Sequence, residues 1–256
     1  MYLFVKTFLY LYKWFTMPKE YYDVSYKTYF NERLKPVRFR GKESYPLYIQ
    51  VTYDRKTTSF KSYYFELFSR PKYAFLDITM DQIEQLESGV LDYVINRFSD
   101  EFSTDKIATR YKIFSQDVLD YMDVPFKKFL GEYFTKKEYP GIGELLQLAS
   151  EDVCSIRIWD DLKKIMEPRA LEYLEYAAVQ EGTYLSLAIY IRHAAPKGPF
   201  CLPLHLWDDE TTQERIENYL DERGPTFLGL NNLRHEISKL THHPAAYGRN
   251  WIRVWP

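Results

Sequence analysis

The chain has 256 residues, 46% hydrophobic and 18% aromatic, a composition that excludes global disorder and can bury a sizeable core. That length suits one large domain or a small module with a body. The formal net charge of −2 hides a division. Between Val24 and Lys72 there are eleven Lys and Arg against four acids, a net of +7; between Tyr73 and Asp123 four stand against eleven, a net of −7. The two cysteines, Cys154 and Cys201, have neither CxxC nor metal-ligand spacing and read as reduced thiols of a cytoplasmic protein. The 24 tyrosines suit contact surfaces that are dry at one end and wet at the other, or reflect a biased source genome.

Residues 1–22 form an apolar leader. Its first sixteen residues are too short and too charged, with Lys6 and Lys13, for a spanning helix, and they lack a small-residue cleavage site. The readings are a start placed upstream of a biological first residue at Met17, a packing or interfacial helix, or a segment that docks on a partner.

Extended structure comes next. Leu47, Ile49, Val51 and Tyr53 alternate with Tyr48, Gln50 and Thr52, the period of a half-buried strand. Asp54-Arg55-Lys56-Thr57 is polar and lacks glycine, which predicts a longer connection built on a type I turn. A second strand follows, with Thr58, Phe60, Ser62 and Tyr64 alternating with Ser59, Lys61, Tyr63 and Phe65. Val24 to Phe30 alternates likewise and supplies a third, about the minimum for a sheet that holds itself together. A sheet this basic is either a nucleic-acid surface or a solvated face with protective edge lysines.

Tyr45-Pro46-Leu47-Tyr48-Ile49-Gln50-Val51-Thr52-Tyr53, followed by Arg55-Lys56 and Thr58-Ser59-Phe60-Lys61-Ser62, resembles the amino-terminal arm-type DNA-binding domain of tyrosine recombinases. It is most similar to integrases of Bacteroidetes mobile elements, over roughly Asp23 to Pro71. The resemblance implies a three-stranded sheet that reads arm-site DNA, with Gln50, Thr52, Arg55, Lys56, Thr58 and Lys61 facing the DNA if the register is right. The remainder departs from that family. No histidine is followed by Arg three residues on, and the 184 residues after Lys72 are too few for both a core-binding and a catalytic domain. Recombinase activity is therefore not expected.

Helices follow the sheet. Asp77-Ile78-Thr79 offers caps for a helix over Thr79–Phe98, with Ile83, Leu86, Val90, Leu91, Val94, Ile95 and Phe98 on one face. Its carboxylates Asp81, Glu84, Glu87 and Asp92 read as a solvated face. Ser103-Thr104-Asp105 caps a second helix with Ile107, Tyr111, Phe114, Val118, Leu119 and Met122 inward, and Pro125-Phe126 opens a short third through Phe134. Tyr139-Pro140-Gly141-Ile142-Gly143 reads as a loop and a candidate boundary, since its Gly-x-Gly lacks the third glycine and the preceding strand of a dinucleotide site. Trp159 to Met166 reads as helical, and Pro168 opens another helix at a first-turn position. Leu185, Leu187, Ile189 and Ile191 alternate strictly and favour a strand over 184–191, with a buried helix as the alternative.

The remaining candidate chemistry lies in the tail. Asp208 to Thr212 caps a helix ending at Gly224-Pro225, and a further helix over Asn231–Leu240 carries Arg234, His235 and Lys239. With Arg249, Trp251 and Arg253, Arg234 and Lys239 form a secondary nucleic-acid contact of interleaved cations and indoles, unless the tryptophans dock on the body. Adjacent His242 and His243 do not make a metal site, and His193 with His205, or His205 with His235, would serve a hydrolase only if folding pairs them.

The class is thus α+β: a small three-stranded antiparallel sheet over 23–72, then a mostly helical body divided at 73–138 and 139–256. The expected function is that of a non-catalytic, DNA-binding accessory protein of a mobile genetic element. Its acidic helical body would engage a protein partner, with no cofactor, metal or membrane. The alternatives are a structural or protein-interaction protein that uses the sheet as scaffold, and an unrecognised nuclease or hydrolase.

Overall fold

The computed structural model describes residues 24–99, 102–148, 152–181, 183–196, 198–207 and 210–222. The leader, the helix end at Gly224-Pro225, the helix over Asn231–Leu240 and the cation–indole tail fall outside them.

The class is α+β. Strands β1 (Ser25–Phe30), β4 (Leu47–Tyr53) and β5 (Lys56–Lys61) form an antiparallel sheet in the order β1-β4-β5. Between β1 and β4, β2 (Val37–Phe39) and β3 (Lys42–Ser44) make a separate hairpin that the sequence reading missed. Both hairpins close through two-residue turns with left-handed backbone: Arg40 and Gly41 at φ 53° and 77°, Asp54 and Arg55 at φ 46° and 60°. Two positive φ angles match the right-handed twist of the flanking strands, so the longer type I connection expected after Tyr53 is corrected. Phe39 stacks on Phe65 at 4.9 Å, and Arg40 donates to the Ile78 carbonyl at 2.8 Å, which hold the small hairpin in place.

The second strand is shorter than its alternation predicts. It stops at Lys61 because the Ser62 hydroxyl accepts from the Phe65 N–H and caps helix α1 (Tyr63–Phe68). Tyr64, Phe65, Leu67 and Phe68 are buried, a helical spacing that overrides the alternation through Phe65. After a short 3-10 turn at Pro71–Tyr73, helix α2 (Met80–Arg97) starts with a Thr79/Gln82 capping box, buries its expected apolar stripe and packs against α1. Only part of its acidic set is solvated: Asp81 and Glu84 are exposed, while the other two are drawn inward. Glu87 is fully buried, Asp92 accepts from the Tyr26 hydroxyl at 2.8 Å, and Glu84 accepts from Thr28 at 3.0 Å.

Helix α3 (Thr104–Phe114) is capped by Ser103 as expected. The next boundary falls at Asp117, whose carboxylate caps α4 (Val118–Lys136), so Pro125 lies inside this helix rather than opening a new one. The segment around Asp117 is anchored across the fold: Val118 N–H donates to the Leu202 carbonyl at 2.9 Å and Leu204 N–H to Gln116 at 2.7 Å. Tyr139–Gly143 is likewise corrected from loop to helix. Pro140 takes the first turn of α5 (Pro140–Gln147), where its missing N–H costs nothing. The α4–α5 corner is a Schellman motif, with Tyr139 N–H donating to Phe134 and Glu138 N–H to Thr135, and the left-handed position is occupied by Glu138 at φ 66°. The two helices approach so closely that a Cβ on Gly143 would lie 2.6 Å from the Gly131 carbonyl. That contact requires glycine at position 143, whereas a Cβ on Gly141 would meet nothing within 4 Å.

Helices α6 (Ser155–Ile165), α7 (Pro168–Glu181), α8 (Thr183–Ala194), α9 (Leu204–Trp207) and α10 (Glu210–Asp221) complete the described body. The strand favoured at 184–191 is part of α8. Over 184–191 every residue but Ile189 is buried, so this is a helix buried almost all round, and its isoleucines and leucines alone read as alternation. One hydrophobic cluster extends from Val24 in the sheet region to Ile216 in α10.

Candidate nucleic-acid interface

Antiparallel partners share a face, so the register sorts the sheet into two sides. One side meets the helices: Leu47, Ile49 and Val51 are fully buried, and Phe60, opposite Ile49, lies 4.7 Å from the Tyr111 ring. The other side has three rungs that point away from the core. They are Ser25, Thr52 and Thr57 nearest the β4–β5 turn; Lys27, Gln50 and Ser59 in the middle; and Tyr29, Tyr48 and Lys61 at the far end. None of these nine residues is acidic. The face is about 14 Å long and about 10 Å across, from strand rise and spacing.

The residues expected to face DNA divide under this register. Gln50, Thr52 and Lys61 lie on the outward side. Arg55 is exposed in the turn, whereas Lys56, though exposed, pairs with Tyr53 and by the same register belongs to the inward side. Thr58 pairs with Val51 and so sits on the inward side; its place in the expected DNA-facing set is corrected. Ser25, Lys27, Tyr29, Tyr48, Thr57 and Ser59 join the face unanticipated. Tyr48 was legible from its alternation with Gln50, whereas Lys27 and Tyr29 required the β1–β4 register. Of the tail residues proposed as a secondary contact, Arg234, Lys239, Arg249, Trp251 and Arg253 all lie outside the described residues.

Local contacts shape the face. The Thr52 and Thr57 hydroxyls are 3.1 Å apart, a cross-strand hydrogen bond that braces the end near the turn. Tyr29 and Tyr48 place their ring centroids 6.0 Å apart, tilted by 38°. Lys61 Nζ is 2.8 Å from Glu66, and that hydrogen bond, with the attached charge, raises its pKa. Both side chains are about half exposed, so water screens this pair. Glu84 and Asp92 accept from β1 side chains on the opposite side of the sheet, which leaves the outward side cationic.

Several buried polar groups elsewhere bond to one another. Burial drives the Glu87 carboxyl up to about 7 against three donors: the Ser62 hydroxyl, the Tyr64 N–H at 3.0 Å and the Tyr111 hydroxyl. The Tyr111 oxygen accepts from Tyr63 N–H at 2.7 Å, and the Tyr63 oxygen from Asp117 N–H at 3.0 Å. Asp117 is also driven to about 7, by burial and then by Asp120, although Leu119, Asp120 and Leu202 all donate to it. Asp123 opposes its own burial with Lys72 at 3.1 Å and Lys127 at 3.0 Å, which together hold its carboxyl below the usual range. Its other oxygen accepts from Ser155 N–H at 2.7 Å and fixes the start of α6.

The histidines within reach do not pair. Burial pushes the His205 imidazole down to about 3 despite a hydrogen bond with the Phe114 backbone, and its ring packs 5.7 Å from Tyr93. His193 instead stacks on Tyr219 at 4.8 Å. Among the described residues no group of three His, Cys, Asp or Glu is arranged to hold a metal, and no helix is long and apolar enough to cross a membrane. Comparison with protein-family models, with curated proteins and with solved structures gives no match for this chain.

Proposed function

We propose that this protein is a non-catalytic DNA-binding accessory protein of a mobile genetic element, and that it meets duplex DNA with the outward face of the β1-β4-β5 sheet. The observation that carries the reading is the composition of that face. Nine outward residues comprise two lysines, two tyrosines, five Ser, Thr or Gln side chains and no carboxylate, and the face ends in the exposed Asp54-Arg55 turn. Lysine and arginine at the margins suit phosphate contacts, while Gln50 at the centre of the middle strand presents an amide to base edges. The width of the sheet is comparable with the roughly 12 Å major groove. The resemblance to arm-type domains supports the same assignment.

A mobility shift with mixed-sequence duplex at two salt concentrations tests it. Wild-type affinity should fall steeply as salt rises, with a slope of about −0.9 per phosphate neutralised. Lys27→Glu combined with Arg55→Glu should weaken binding strongly and flatten that slope, because both side chains are exposed and neither supports the core. Unchanged binding by the double variant would reject this face as the contact.

A protein partner for the helical body has a separate observation in its favour. Tyr139, Leu145 and Leu148, in and beside α5, are 59%, 71% and 80% exposed, an apolar strip with nothing described against it. A stable complex that forms without DNA and is lost in Leu145→Glu would favour interaction with protein through this strip.

A further inference from the structure

The outward face is not uniform along its length, and the difference points to a particular form of DNA. From the turn inward it offers hydroxyls, an amide and Lys27, groups that meet phosphates and base edges. Its far end is different. There Tyr29 and Tyr48 stand opposite each other on neighbouring strands, 6.0 Å apart, with Lys61 beside Tyr48 on the third. The inward aromatics Tyr26, Tyr53 and Phe60 pack against the core, as their burial requires. The Tyr29 and Tyr48 rings point the other way. A half-buried tyrosine on the outward side of a strand beside a lysine has a π-face and a nearby cation for a nucleotide, but base pairs inside a duplex are already stacked and offer such a ring only their edges. A base can lie on it only when unpaired.

Resting on the reading of this face as a DNA contact, we propose that the Tyr29–Tyr48 rung is a stacking platform for unpaired bases. The preferred ligand is then a duplex that continues into single strand, as at an overhang, gap or fork. The polar two-thirds of the face and Arg55 in the turn hold the duplex. The tyrosine end receives the first unpaired bases, and Lys61 meets the phosphate between them. Glu66 shares Lys61 across an exposed, screened pair, so a phosphate can take its place.

Fluorescence anisotropy with a blunt mixed-sequence duplex, the same duplex carrying a short single-stranded extension, and the free single strand tests this. Wild-type protein should bind the extended duplex about tenfold more tightly than the blunt one, the scale of one stacked base. Tyr48→Leu and Tyr29→Leu should each bring the ratio of extended- to blunt-duplex affinity from about ten to about one, and Tyr48→Phe should keep it near ten. Equal binding of blunt and extended duplex by wild-type protein, a comparison that needs no variant to fold, would overturn the stacking platform and leave the duplex face standing. Absence of binding to all three DNAs would overturn the underlying reading of the face itself.

Discussion

Replacing Glu87 with glutamine should change how stability depends on pH more than it changes stability itself. Glu87 is fully buried, and burial lifts its carboxyl from 4.5 to about 7 even though Ser62, Tyr64 and Tyr111 all donate to it. The folded protein therefore holds this proton more tightly than the unfolded chain. The stabilisation is fully present below about pH 4.5 and is lost as pH rises through about 7. A shift of about 2.5 units corresponds to about 3 kcal/mol. Glutamine cannot ionise, so Glu87→Gln avoids that loss. It does leave the Tyr111 hydroxyl without its carboxylate acceptor, because that oxygen already accepts from Tyr63 N–H, a cost of about 1–3 kcal/mol at any pH. Urea unfolding of both proteins from pH 4.5 to 8 measures the outcome. The variant should be clearly less stable at the acid end, and the gap should close by about 3 kcal/mol, perturbing little else, by pH 8. Asp117 titrates over the same window in both proteins and cancels in the difference. Parallel profiles would refute the claim that burial outweighs the three hydrogen bonds.

Other substitutions probe the backbone and the packing. Arg55→Gly should stabilise the protein by about 0.5 kcal/mol, since glycine suits the left-handed second position of the turn, yet it should weaken DNA binding by removing a cation; thermal melting and mobility shift should move in opposite directions. Glu138→Gly relieves the same backbone cost at the α4–α5 corner and should raise the melting temperature by about 2–4 °C, for a gain of about 1 kcal/mol. Gly143→Ala should cost about 1–3 kcal/mol or more, because the new Cβ meets Thr135 Oγ1 and the Gly131 carbonyl. Gly141→Ala, with nothing within 4 Å, is its control and should be neutral or stabilising in the same denaturant assay.

Features written in neighbouring residues were legible from the sequence. The Thr79 and Ser103 caps, the apolar stripe from Ile83 to Ile95 and the opening of α7 at Pro168 all follow from local rules of capping and periodicity. So do the existence of β1 and β4 and the concentration of positive charge in the sheet. What escaped depended on partners distant in sequence. Ser62 turns from strand residue to helix cap because Phe65 N–H and buried Glu87 both claim its hydroxyl, and Gly143 of α5 is a glycine because α4 approaches too closely for a Cβ. The strict alternation in α8 could not announce which of its residues would meet neighbouring helices.

The same division holds for the candidate site. Residue types and their alternation determined that a cationic sheet exists and that Gln50 and Thr52 share one side of a strand. Only the tertiary pairing decided that Lys27 and Tyr29 lie beside them and that Thr58 faces the helices instead. A strand by itself specifies two faces, but which one is wet depends on what packs against the other, and that is a property of the assembled core.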